Sequence, residues 1–319
     1  KPFVKYYTNK ARQAGMTLIE LTVVLLVLIG LAGLMIPYVG SFVEKTNDST
    51  GSANLAQLNN AMGRFITERN RVPHHLESLL NNADSTAGTG SCSGTVTADT
   101  VYCGLATPTA FEPVTYTEGT DDTALESLAK ANMYMWVNNN QNAANKTFSS
   151  GTAMKYLPGE GNNTGTTVSF ARFPAGATNT DPTTNGTTDT TNHATRQLLS
   201  TLLGGAGMDY YPECHDYIVM GIGDSSELIG KTMTSSPVNF AKNAEEGPVQ
   251  NYNHYIAVFQ VDRANAGGAS LMGDTHECST ITESVKFLGT VLNTSETANS
   301  GLIGVKNALE TAYDNKVGA

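Results

Sequence analysis

Residues 16–39, MTLIELTVVLLVLIGLAGLMIPYV, hold a single charge, Glu20, in 24 positions. No other stretch limits the possible folds so strongly. As a helix the run is long enough to cross the hydrocarbon core of a bilayer, which takes about 20 residues. Its carboxylate is then the anomaly, because a charge at the bilayer centre costs about 2.5 kcal/mol or more. Glu20 therefore needs a partner that neutralises it, or a place at the interface to which it can snorkel.

The flanking charges set an orientation. The first fifteen residues carry four basic groups (Lys1, Lys5, Lys10 and Arg12) and no acid. A basic start before an apolar run places the N-terminus in the cytoplasm and the remainder outside. A cleavable secretory signal is the competing reading, but the run exceeds the usual apolar core of such signals, and no small-x-small site follows it before Ser41. The chain beyond Gly15 has 15 basic and 29 acidic residues, a net of −14. An acidic body of that kind disfavours nucleic acid as a partner. The four cysteines, Cys92, Cys103, Cys214 and Cys278, all fall in the outer part. Their even number predicts two disulfides in an oxidising compartment. Pairing Cys92 with Cys103 and Cys214 with Cys278 is the simplest of three connectivities, and the sequence leaves the other two open.

Beyond Pro37 the helical pattern resumes with Leu55, Leu58, Met62, Phe65 and Ile66 on one stripe. The spacing predicts one long helix over 16–70, its apolar half at 16–39, ended by Asn70 to Pro73. Gly30, Gly33 and Pro37 predict a kink or melted turn between the halves, since proline removes a backbone donor. The head, 71–319, mixes element types. Residues 124–136 and 195–203 read as helices; 217–222, 255–261 and 285–292 read as strands, short, apolar and partly β-branched. Leu302, Val305, Leu309 and Tyr313 have helical spacing. The strands do not alternate regularly with helices, so the head is expected to be α+β with an antiparallel sheet. Residues 82–93 are small and polar, and 175–195 hold nine threonines; both read as loops, the second as a variable or glycan-bearing outer face.

The N-terminus resembles a known family. Lys10-Ala11-Arg12-Gln13-Ala14-Gly15 followed by Met16-Thr17-Leu18-Ile19-Glu20-Leu21 is similar to the prepilin signal of type IV pilins and of the pseudopilins of type II secretion. The resemblance covers roughly residues 10–77, including Pro37 and the Arg71-Val72-Pro73 turn. It implies cleavage of the 1–15 leader by a prepilin peptidase at the Gly15–Met16 bond and methylation of the new N-terminus. It also implies polymerisation of the processed chain on an inner-membrane assembly platform. In that setting the Met16 amine and the Glu20 carboxylate of neighbouring subunits would neutralise each other. Two such charges at 4 Å attract by roughly 4 kcal/mol at an effective dielectric near 20, less the cost of desolvation. One charge in a uniformly apolar helix also fixes a single register.

Other chemistry is weakly signalled. Glu213-Cys214-His215-Asp216 and Asp274-Thr275-His276-Glu277-Cys278 are the ligand-rich clusters, so His215, Asp216, Asp274 and His276 are metal candidates only if a Cys214–Cys278 bond joins them. His74-His75 reads as an exposed turn pair, and Asp224 to Glu227 as a turn. Gly221-x-Gly223 lacks the rest of a dinucleotide fingerprint. No nucleophile elbow or haem motif occurs, so neither an enzyme nor a cofactor is expected. The sequence-based expectation is a major pilin-like subunit of an extracellular filament, moving from the inner membrane to the cell surface. A pseudopilin or minor pilin of a secretion or DNA-uptake machine is the first alternative. A membrane-anchored monomeric binding protein is the second.

Overall fold

The structure is a computed structural model. It describes residues 18–81, 100–101, 111–141, 148–149, 154–158, 160, 166–175, 188–204, 210–212, 214–237, 254–263, 281–293, 301–303, 305–306 and 308–309. Two compact units emerge, Lys1–Asn47 and Asp48–Ala319, and they divide within the first helix rather than at its end.

Helix α1 spans Leu18–Arg69. It is helical without interruption through Gly30, Gly33 and Pro37, so the expected melted turn is not found there. A helix interior tolerates proline by losing one hydrogen bond, and the surrounding turns hold the segment helical. The helix stops where the sequence indicated. Asn70 turns left-handed (φ 53°) and its N–H still bonds the Ile66 carbonyl at 2.7 Å. Asparagine tolerates that conformation better than most residues.

In the unit from Asp48 onward, the sheet grows outward from two long strands. β8 (His215–Ile222) and β9 (Tyr255–Asp262) pair antiparallel over eight residues, from His215 opposite Asp262 to Ile222 opposite Tyr255. β10 (Lys286–Val291) extends the sheet beyond β9. The other edge of β8 is shared between two strands. β7 (Thr167–Arg172) takes Ile218 and Val219, and β1 (Glu77–Asn81) takes Met220 and Gly221. β3 (Glu112–Thr117) continues from β7 in a six-residue ladder. β4 (Met135–Gln141) lies parallel to β1, the exception in an otherwise antiparallel sheet. Three short strands complete it: β2 (Thr100–Val101) on β1, and β5 (Phe148–Ser149) and β6 (Met154–Tyr156) on β4.

Both faces of the central strands are covered. Ile218, Met220, Ile222, Tyr255, Ala257 and Phe259 meet Leu58, Met62 and Phe65 of α1 and Leu128 of α2 (Asp122–Lys130). The alternate residues Tyr217, Val219, Ile256 and Val258 meet Leu198, Leu199 and Leu202 of α3 (Thr188–Leu203), with Leu302 and Val305. Two-sided burial explains why these strands read as unbroken apolar runs instead of alternating ones. Burying each of Leu58, Met62 and Phe65 stabilises the fold by about 1.5–3 kcal/mol. The α+β expectation therefore holds, with the sheet sandwiched between helices.

Two element boundaries differ from expectation. The helix expected over 124–136 ends at Lys130. Asn132 adopts φ 51° and bonds back to Ala129, and Met135 already belongs to β4. Part of the loop expected over 175–195 is helical, because α3 begins at Thr188. The packing of Leu198, Leu199 and Leu202 outweighs the low helix propensity of its threonines. The expected loop at 82–93 lies outside the described residues.

Candidate assembly helix and the ion pairs of the head

Among the described residues, the unit ending at Asn47 is strongly apolar. Leu18–Met35 has a mean hydropathy of 2.6 and is long and apolar enough to cross a membrane. Its large side chains are exposed all round the helix, from 51% at Val24 to 80% at Leu18. An ordinary surface helix shows one apolar stripe and one polar face. A surface apolar on every side needs lipid or other protein around it. Glu20 lies in the first helical turn. The Thr22 hydroxyl donates to the Ile19 carbonyl at 2.9 Å, which hides its polarity from an apolar surrounding.

The head is held by ion pairs between distant segments. Arg71, just beyond α1, donates from Nη2 to Glu227 Oε1 at 2.5 Å and lies over the Phe65 ring, 5.4 Å from its centroid. The same carboxylate accepts from the His74 backbone N–H at 3.2 Å and from Lys231. Burial alone would raise the Glu227 carboxyl, but Arg71, Lys231 and the His74 N–H outweigh it and hold it at about 2. His74 and His75 are half-buried rather than an exposed pair. The His74 ring bonds the Asn132 carbonyl, and burial together with Arg71 and His75 lowers its pKa.

A second group surrounds Asp216, which is 2% exposed. Its two oxygens accept from Arg172 Nη1 at 2.5 Å and from the Tyr116 hydroxyl at 2.8 Å. Arg172 also donates to Glu112 at 2.9 Å, and Arg263 Nε lies 3.9 Å from Asp216. Two acids and two guanidinium groups thus balance. Burial and the nearby Asp216 charge raise the Tyr116 phenol well above its ordinary value. A third pair joins the buried Glu77 to His254, 3.1 Å apart.

His215 and Asp216, neighbours in the chain, take different partners. Successive strand residues point to opposite faces. The His215 ring pairs with Asp262 at 3.1 Å, while Asp216 pairs with Arg172. Asp274 and His276 lie outside the described residues, and among the described residues no cluster fit for a metal occurs. Gly15, Met16, Cys92, Cys103 and Cys278 are also outside them. Cys214 is buried just before β8. Sequence reasoning missed Glu227, Glu77 and the charge on Asp216. An acid inside an apolar strand run, as at Asp216, is the signal that marks a buried ion pair.

No family model matches the chain, and no solved structure matches it. A 76-residue stretch is 33% identical to the type II secretion system core protein G of Aeromonas hydrophila. The chain is similar to a pseudopilin. The match covers 23% of this chain and 53% of that protein, so the chain spans about half the length of the curated relative it matches. The N-terminal apolar helix fits that similarity, and it is consistent with anchoring in a membrane.

Proposed function

We propose that this chain is a pseudopilin-like structural subunit that assembles through its N-terminal helix into a helical fibre of a secretion machine. The observation that carries the proposal is the 18–35 helix, apolar on every side, with Glu20 in its first turn. The similarity to a core secretion protein favours this reading over the long surface filament expected from sequence. Before assembly the helix resides in the inner membrane, where a prepilin peptidase cuts the Gly15–Met16 bond and the new N-terminus is methylated. An assembly platform then draws subunits into the fibre. Side-by-side packing replaces lipid around Leu21 to Ile36, and the Met16 amine of one subunit meets Glu20 of its neighbour. Contacts of this head-to-tail kind do not close on themselves, so they build an open helix. The head reaches the outer face, with its cysteines paired in disulfides. No catalytic step is assigned to it.

Glu20→Ala tests the reading. The variant should insert into the membrane at wild-type level yet fail to form the cross-linked ladder of oligomers given by wild type. An unchanged ladder would overturn assembly through this helix and leave a membrane-anchored monomer. Electron microscopy of sheared material separates the fibre types. Short or absent fibres fit a pseudopilin, and abundant micrometre-long fibres would instead identify a major pilin.

A further inference from the structure

The connection between β8 and β9 leaves the sheet at Gly223 and returns at His254, and both ends meet one carboxylate. Glu77, the first residue of β1, is 3% exposed, with Oε2 3.1 Å from His254 Nδ1. Gly223 makes room for it. A Cβ at that position would stand 1.7 Å from Glu77 Oε1, so no larger residue fits without moving the carboxylate. One ion pair therefore ties the ends of three strands, with Glu77 paired to Gly221 in the ladder and Tyr255 to Ile222.

The segment leaving this point is fastened a second time. Glu227 binds Arg71 and the His74 N–H, and the Glu227 N–H donates to the His74 carbonyl at 3.1 Å. Between and beyond these ties the segment turns tightly through Gly223 to Ser236. The Ser236 hydroxyl donates to the Ile222 carbonyl at 3.0 Å. Residues 230–237 then form one wall of an open groove of about 770 Å³ whose other wall is Asn54, Gln57 and Ala61 of α1.

We propose that the Glu77–His254 pair is a proton-operated latch that holds the start of this segment, residues 223–226, against the head while His254 is charged and releases it when it is neutral. Among the described residues, the charged groups facing His254 are Glu77 from β1 and Asp224 from the turn after β8, both acidic. Burial alone would lower the imidazole's pKa, yet these two carboxylates outweigh it and lift it above the ordinary value. Folding thus takes up a proton. The latch contributes fully below the ordinary imidazole range and is lost as pH rises through the elevated value. Above it, Glu77 faces a neutral ring and its buried charge costs more. The Arg71–Glu227 contact and the hydrogen bond from the Glu227 N–H to the His74 carbonyl do not involve His254, so opening stays local to the Gly223 end.

The test is a pH series on the full chain in detergent, from pH 6 to 9. It follows the His254 ring by NMR and amide exchange of residues 224–226, corrected for the intrinsic pH dependence of exchange. The expected wild-type result is a His254 midpoint above the ordinary value. Exchange at 224–226 should rise on the order of tenfold through that midpoint, while 217–221 and 256–260 stay protected. Glu77→Gln should bring the midpoint down and remove the step, and His254→Gln should exchange fast at every pH. A flat profile in wild type would overturn the latch. A step of equal size in the β8 and β9 amides would also overturn it, because the head would then be unfolding as a whole. The wild-type series decides the matter even if both variants fail to fold.

Discussion

Arg71 and Glu227 are 156 residues apart in the chain and 2.5 Å apart in the fold. Their contact joins the turn after α1 to the turn after β8, and both side chains are largely shielded from water. The guanidinium is further covered by the Phe65 ring, the last fully buried apolar side chain of α1. The end of the long helix is thus fastened by one ion pair placed over its own hydrophobic contact.

Removing the acid should cost more than removing the pair. Glu227→Ala leaves Arg71 shielded and without its carboxylate, and it frees the His74 N–H as well. The expected loss is about 2–3 kcal/mol, measured as a lower urea midpoint at an unchanged slope. The double variant with Arg71→Ala should lose less than the sum of the two single losses.

Acid should loosen the same place. Glu227 is held at about 2, so its ordinary carboxyl value lies above its folded one. Its contribution is present above the ordinary range and is lost as pH falls from there towards about 2. A Glu227→Gln variant, followed by thermal unfolding from pH 6 down to pH 2.5, should show a shallower fall than wild type. An identical slope would refute this role.

Asp216→Asn is nearly isosteric and should still be strongly destabilising. It leaves Arg172 and Arg263 beside a neutral amide, with Glu112 as the nearby acid. Breaking a buried pair from one side costs about 3–5 kcal/mol, read from chemical unfolding. Tyr116→Phe removes only a hydroxyl donor from the same carboxylate and should cost about 1.5–3 kcal/mol.

Phe65→Ala should act on the helix and the head together. It empties a site that is 1% exposed and takes away the ring beneath Arg71. A loss of about 3–5 kcal/mol is expected. By contrast Phe42→Ala, at an exposed position in the other unit, should leave head unfolding unchanged.

The sequence by itself determined the elements that depend on local pattern. The 18–35 helix follows from an apolar run that no soluble surface accommodates. The stop at Asn70 follows from turn chemistry, and β8 and β9 from short apolar runs too rich in β-branched and aromatic residues to be anything else. Even there, local signals failed where two patterns met. The apolar run continuing past Lys130 hid the left-handed turn at Asn132, and the threonines before Leu198 hid the start of α3.

Only the tertiary structure decided which charges meet. Arg71 with Glu227, Arg172 with Asp216 and Glu77 with His254 are each brought together by strand order, from positions 44 to 177 residues apart. Nothing local fixes such pairs. Coulomb attraction acts through space and burial sets its strength, so a carboxylate that reads as an ordinary turn residue becomes a fastening point once the sheet closes around it. The same reason separates His215 from Asp216. They are neighbours in the chain, but the pleat sends one to Asp262 and the other to Arg172.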